Sequence, residues 1–166
     1  MIYCLCCVSG KEDYVEERLK GQGLQIVGSR QKHLYRKNEE GITKQWSQNI
    51  PLLPGFLFFA LEQDIDASRR LAIKKIPGVM SLVRYGDGSH ALRGNDLVFA
   101  KWLQRQNGLV QPLSAYRKDG RVVIPEDELA KIGCKILKVN YKRQSILVQL
   151  SGEGLKTILW LQYEIH

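Results

Sequence analysis

Leu53-Pro54-Gly55-Phe56-Leu57-Phe58-Phe59-Ala60-Leu61 is the stretch that organises this 166-residue chain. Pro51, Pro54 and Gly55 crowd into five residues and make a rigid turn. Phe56 to Leu61 then runs without a polar side chain and is rich in aromatics, which predicts a strong strand. Upstream, Met1 to Val8 is a second continuous apolar run, short enough for a buried strand. Between the two, Ser9 and Glu12 have the spacing of a capping box, which predicts a helix with Val15 and Leu19 on one face and Gly21 and Gly23 at its end. A short strand is expected at Leu24 to Val27. Glu40-Gly41 reads as the tip of a hairpin whose arms are Lys32 to Lys37 and Ile42 to Trp46.

Downstream, Asp66 can cap a helix that runs to Lys75 and stops at Pro77-Gly78. Val79 to Tyr85 reads as a strand and Gly86-Asp87-Gly88 as a turn. Asn95 can then cap a third helix with Val98 and Trp102 on one face. Strands alternating with helices predict an α/β sandwich, a small antiparallel sheet covered by helices, over residues 1–108. From Asn107-Gly108 the pattern changes. Residues 109–116 carry Pro112 and no helical period, and are expected as a linker. Beyond them, Arg121 to Ile124, Lys135 to Val139, Ser145 to Leu150 and Thr157 to Leu161 read as short strands separated by glycines and Asn140. They predict a small all-β barrel over residues 117–166.

Composition narrows the function classes. Hydrophobic residues make up 44% and charged residues 25%, as in an ordinary globular chain. Twenty-five Lys and Arg against 17 Asp and Glu give a net charge of +8, which favours polyanionic partners. No apolar run is long enough to span a membrane and no signal-like region precedes the first one, so a cytoplasmic protein is expected. Cys4, Cys6 and Cys7 sit too close along one strand to bridge, and with Cys134 they lack the paired spacing of a zinc site. They read as reduced thiols filling apolar space. His33, His90 and His166 are scattered, there is no phosphate-binding loop, and Glu126-Asp127-Glu128 reads as a solvated loop. A non-enzymatic protein without cofactor is expected.

Three motifs in order resemble the NusG family of transcription elongation factors. Ile2-Tyr3-Cys4-Leu5 through Ser9-Gly10-Lys11-Glu12 looks like the family's opening strand, turn and helix. Leu53-Pro54-Gly55-Phe56-Leu57-Phe58 looks like its aromatic-Pro-Gly-aromatic strand start. Ile76-Pro77-Gly78-Val79-Met80 looks like its third signature. The C-terminal part resembles a KOW domain, an SH3-like barrel, through Gly120-Arg121-Val122-Val123-Ile124, Gly133 with Ile136, and Lys138 to Arg143. It departs from that pattern at Pro125 to Ala130. Leu82 to Asp87 and Leu161 to Ile165 look most like the LoaP antitermination branch of the family.

The resemblance implies an N-terminal domain that docks the clamp helices of RNA polymerase through an apolar patch bordered by Tyr3, Leu53, Pro54 and Phe56. Core packing of a strand pair is the other reading of these residues. The resemblance also implies a C-terminal partner, a structured leader RNA or hairpin in a LoaP-like protein, and a ribosomal protein or termination factor in an ordinary member. Lys131, Lys135, Lys138, Tyr141, Lys142 and Arg143 put an aromatic among cations with no intervening acid, a common RNA-contacting arrangement, or else a solvated charged edge. Lys135 and Lys138 share a strand face only if a bulge intervenes. Arg117, Lys118 and Arg121 could extend that surface, and the basic hairpin Arg30 to Lys44 is a further cationic segment. The chain is expected to act as a monomer. A free-standing KOW-type RNA-binding protein of the translation machinery is the alternative, and a thiol enzyme a third.

Overall fold

The two apolar runs pair with each other at the centre of the molecule. In the computed structural model, which describes residues 1–166, the elements run β1 (Ile2–Cys7), α1 (Glu12–Gly21), β2 (Gln25–Val27), β3 (Arg30–Glu39), β4 (Ile42–Pro51), β5 (Phe56–Ala60), α2 (Ala67–Lys74), β6 (Val79–Leu82) and α3 (Gly94–Arg105). They continue with β7 (Leu109–Val110), β8 (Leu113–Lys118), β9 (Arg121–Val123), α4 (Glu126–Ile132), β10 (Cys134–Asn140), β11 (Ser145–Leu150) and β12 (Ile158–Ile165). β1 and β5 lie antiparallel in a four-stranded sheet of order β2-β5-β1-β6. The sequence reading of the first half thus holds as an α/β fold of sheet and helices.

Strand alternation gives this sheet two apolar faces. Tyr3, Leu5, Cys7, Leu57 and Phe59 pack on one side with Val15 and Leu19 of α1 and Ile73 of α2. Ile2, Cys4 and Phe58 pack on the other side, where α3 lies, with Phe58 and Phe99 edge to face at 5.9 Å between ring centroids. The helix ends follow the predicted chemistry in part. Asp66 Oδ1 accepts from the Arg69 backbone N–H at 2.7 Å, as expected of a cap. Ser9 does not cap α1. Glu12 instead turns its carboxylate back to accept from Gly10 N–H at 2.7 Å and Gly55 N–H at 2.8 Å. Asn95 lies inside α3, not at its cap.

The expected hairpin is longer than predicted. β3 and β4 pair along ten residues each, with Glu40 (φ 49°) and Gly41 (φ 79°) forming the turn. The segment read as a linker is built into sheets. β7 pairs parallel with the start of β3, and β8 pairs parallel with β12. Its low charge and Pro112 hid three buried residues, Val110, Leu113 and Ala115. Gly28 and Gly108 permit the crossing beneath β3. A Cβ on Gly28 would stand 2.5 Å from Gly108 Cα, so neither strand could approach the other with a side chain there.

The second half forms a curled five-stranded sheet of order β10-β11-β12-β8-β9. The acidic run expected as a loop is the first turn of α4. Three carboxylates at a helix N-terminus complement its dipole, and Gly133 closes it in the left-handed conformation (φ 71°). The two halves are not separate bodies. One apolar cluster runs from Phe58 and Phe99 through Trp102 and Leu103 to Ile132, Ile146, Val148 and Leu161, so α3 is a core element of both.

Candidate functional site

Two surfaces carry the residues singled out in the sequence. The first is the outer row of the four-stranded sheet. Phe56 is half-buried and its Cα partner is Cys6, also half-buried, which on its other side faces Ser81. Pro54 is exposed on the turn just before this row. Glu12 fixes that turn through Gly55, and the arrangement lowers the Glu12 carboxyl below its ordinary value. Burial alone would raise it, but hydrogen bonds from the backbone N–H groups of Glu12, Gly55 and Gly10 outweigh burial.

The patch proposed for Tyr3, Leu53 and Phe56 does not form as one surface. Tyr3 points to the opposite face, is 0% exposed, stacks on Phe59 and donates to Asp64 Oδ1 at 2.7 Å. Burial, then the Asp64 hydrogen bond, push its phenol to about 12. Alternation in β1 sets this. Ile2, Cys4 and Cys6 share one face and Tyr3, Leu5 and Cys7 the other, so the residue across from Phe56 is Cys6. The sequence reading passed over Cys6 because it treated the three thiols together. Leu53 is 3% exposed and packs in the shared core, while its backbone carbonyl accepts from Phe56 N–H at 3.1 Å. It shapes the turn and offers no apolar surface to solvent. Burial raises the Cys4 thiol well above its ordinary value and takes the Cys7 and Cys134 thiols to about 11, the opposite of an activated nucleophile.

The second surface is a groove of about 700 Å³ between β3 of the first half and the β10–β11 turn of the second. A bulge in β10 builds its approach. Lys135 faces Gln149 and Lys138 faces Leu147, with the register shifting between Ile136 and Lys138. Gln149 and Leu147 share a face of β11, so the bulge places both lysines on one side, the condition the sequence reading had set. The pairing of β11 with β12 continues that face. Leu147 lies beside Trp160 and Ser145 beside Gln162. Trp160 is 42% exposed and Tyr141, on the turn, 59%.

The opposing wall is the hairpin. Gln31, His33 and Tyr35 lie on one face of β3, and Tyr35 stacks on its cross-strand partner Trp46 at 5.4 Å between centroids with 12° between planes. His33 packs on Tyr35 at 4.5 Å. Gln162 joins the walls. Its side-chain amide accepts from Leu34 N–H at 2.6 Å and donates to Leu34 C=O at 3.1 Å, as a neighbouring strand would. Gln31 Nε2 adds a bond to Trp160 C=O at 3.2 Å. Burial, then the charge of Arg143, lower the pKa of His33, so the two sides feel each other across the groove.

Of the predicted nucleic-acid-binding residues, Tyr141, Lys142 and Arg143 line the groove, and Lys138 lies outside its lining, across Leu147 from Trp160. Lys131 is placed elsewhere, on α4, where Glu128 (3.0 Å) and Asp127 (3.9 Å) partner it. Lys118 and Arg121 face each other at the β8–β9 turn, outside the groove. Arg117 is also outside the lining, yet close enough to Tyr163 to act on its phenol. The sequence points to Arg36 and His33 only as part of the basic hairpin, and to Tyr35 and Trp160 not at all. Only the packing of the two halves brings them to one place.

Comparison with known proteins fits the first half most directly. The family model described as transcription termination factor NusG matches residues 2–97. Among solved structures, the chain is similar to one described as showing domain interaction in Thermotoga maritima NusG. That similarity has 17% identity, covers 97% of this chain and 92% of that one, and has a TM-score of 0.48. It is also similar to a chain of the Mj Spt4:Spt5 complex in conformation B, at 14% identity over 98% and 92% of the two chains with a TM-score of 0.31. Conformation A gives 11% identity over 99% and 100% with a TM-score of 0.31. A search of curated protein sequences gives no match. The family match spans more than half of the chain and contains all three sequence motifs, and the chain belongs to the NusG family of transcription factors.

Proposed function

We propose that the chain is a non-enzymatic, cytoplasmic elongation and antitermination factor of LoaP type. Its first half docks on the clamp helices of RNA polymerase, and its second half, an SH3-like KOW domain, takes an RNA hairpin. The half-buried row of Phe56 and Cys6, at the edge of the shared core, with Pro54 exposed on the adjoining turn, carries this reading. A convex helix tip seats on such an apolar strip beside an exposed turn. Tighter binding to the transcribing state of polymerase than to the paused one shifts the population toward elongation. Two contacts from one chain reinforce each other, because the second is made at high effective concentration.

The test is a pull-down with core RNA polymerase. The wild-type chain is expected to bind, and Phe56→Ala combined with Cys6→Ala is expected not to, while circular dichroism shows an unchanged fold. Polymerase capture that is equal for the two chains removes the apolar row from the reading. A wild-type chain that ignores polymerase but holds RNA establishes the free-standing RNA-binding module instead.

A further inference from the structure

The groove between the two halves has a composition that the polymerase contact does not use. Fifteen residues line it and none is acidic. Arg36 enters from the hairpin and Lys142 and Arg143 from the β10–β11 turn, so cations stand on both sides. Between them are planar faces, Tyr35 and His33 on one wall, Tyr141 and Trp160 on the other. Tyr141 and Trp160 are exposed although a core lies one strand layer away, and Trp46 backs Tyr35 as a second ring in the same stack. Asn140 and Gln144 add amide groups beside the cations. The groove's volume, about 700 Å³, suits a few extended nucleotides.

We propose that this groove binds single-stranded RNA, the unpaired loop or flank of the hairpin assigned to the second half above, and that both halves of the chain contact it at once. Bases stack on Trp160, Tyr141 and Tyr35, because every base presents a planar face to an aromatic ring. Arg36, Lys142 and Arg143 hold the phosphates, with Lys138 extending the track along β10. RNA recognition concentrates on unpaired nucleotides for this reason, since their faces and edges are free. An acidic protein segment would satisfy the cations but leave the exposed rings of Tyr141 and Trp160 without a partner. The inference rests on the RNA reading of the proposed function and moves the site from the C-terminal sheet alone to its junction with the hairpin. Because Gln162 and Gln31 hold that junction, RNA affinity depends on how the two halves are packed.

The experiment is fluorescence anisotropy on the full chain with a fluorescein-labelled oligo(rU) of about twelve nucleotides, within the usual span of a single-strand site. Competitors are the matching oligo(dT), a blunt RNA duplex and poly-glutamate. Trp160→Ala, Tyr141→Ala and Tyr35→Ala are each expected to weaken binding about ten-fold, and Arg143→Ala to weaken it and flatten its salt dependence. Lys118→Ala with Arg121→Ala, outside the groove, is expected to change affinity by less than about two-fold. Circular dichroism confirms the fold of each variant, and the altered aromatics of the second half are surface residues. Groove variants that bind as the wild type does, or a control pair that loses as much, overturn the site. Competition by oligo(dT), duplex or poly-glutamate as strong as that of oligo(rU) overturns the RNA assignment. Polymerase pull-down separates this from the proposed function. A chain that captures polymerase but not oligo(rU) loses only the groove. A chain whose groove variants lose oligo(rU) and whose wild type ignores polymerase keeps the groove and loses the elongation role.

Discussion

The seam between the two halves is built in opposite ways at its two sides. On the α3 side it is dry and closed. Asp96 is 1% exposed and accepts three hydrogen bonds, from Tyr85 Oη (2.7 Å), Gly154 N–H (2.7 Å) and Leu155 N–H (2.9 Å). A Cβ on Gly152 would stand 1.7 Å from Asp96 Oδ1, so the loop approaches the carboxylate as closely as a bare backbone allows. Arg93 covers the outside, with its guanidinium over the Tyr85 ring at 4.2 Å and ion pairs to Asp87 (2.7 Å) and Glu153 (3.2 Å). On the hairpin side, beyond the short β3–β7 pairing, the same two halves touch through two glutamine side chains and leave a groove open. A buried carboxylate must have its partners met inside the protein, so the closed side tolerates one geometry. Gln31 and Gln162 are also largely buried, but they are uncharged amides at the edge of an open groove, so losing one costs less than losing a buried carboxylate, and the open side can admit a ligand.

The largest effect is expected where the closed side merges with the shared core. Phe99→Ala is expected to cost about 4 kcal/mol, since it removes a buried ring between Phe58 and Trp102. Denaturant titration of the full chain measures this. One cooperative transition is expected in the wild type, because a single apolar cluster joins the halves. Two separated transitions would break the comparison by showing the halves to be independent.

Asp96→Ala comes next, at roughly 3 kcal/mol, because it strands two buried N–H groups and a phenol. Gly152→Ala tests the same contact from the other half and is expected to cost roughly 2 kcal/mol by overpacking. If both are neutral, the closed side is not an anchor.

Alkaline pH sharpens the contrast by titrating the enclosed groups. Burial raises the Tyr3 phenol to about 12 and the Cys7 and Cys134 thiols to about 11. Burial, then the hydrogen bond to Asp96, raise the Tyr85 phenol still further. A folded-state value above the unfolded one means that the unfolded chain loses its proton first. Stability is therefore full below the ordinary values of 9.0 for a thiol and 10.0 for a phenol, and falls as pH rises through about 12. Tyr3→Phe is expected to make the fall between pH 10 and 12 shallower. An unchanged slope in urea titrations across that window would remove Tyr3 from the account.

The smallest effect belongs to the open side. Gln162→Ala is expected to cost about 1 kcal/mol, since it removes two neutral, part-buried hydrogen bonds to Leu34 at the edge of the groove and strands no charge. Its signature is a weaker capture of oligo(rU) with little loss of stability. A loss as large as that of Asp96→Ala would make the two sides alike.

Much of the fold was legible because short-range patterns dictated it. The Pro-Gly turn before Phe56, the Asp66 cap, the Glu40-Gly41 turn and the apolar run of β1 each act within a few residues, where propensity is informative. The misses have a shared cause. β7 and β8 have little local strand signal and exist because β3 and β12 supply partners. The acidic run became a helix because Gly133 and the dipole at its ends outweighed the polar composition. Ser9 makes no cap, because α1 starts after Lys11 without a side-chain cap, and Glu12 turns its carboxylate to Gly10 and to Gly55, which is remote in sequence.

The sequence by itself determined the alternation of strands and helices in the first half, the positive charge, and the three motifs that place the chain in its family. It also contained the basic turn at Lys138 to Arg143 and the condition, a bulge, under which Lys135 and Lys138 would align. Tertiary structure alone decided that Tyr3 faces away from Phe56 and Cys6 toward it, that Asp96 joins the halves, and that the hairpin aromatics meet the basic turn across a groove. The physical reason is range. Propensity, capping and charge act between neighbours along the chain. A shared face, a satisfied buried carboxylate and a groove depend on residues far apart in the chain, 58 positions for Asp96 and Gly154 and 128 for Leu34 and Gln162, and only packing brings those together.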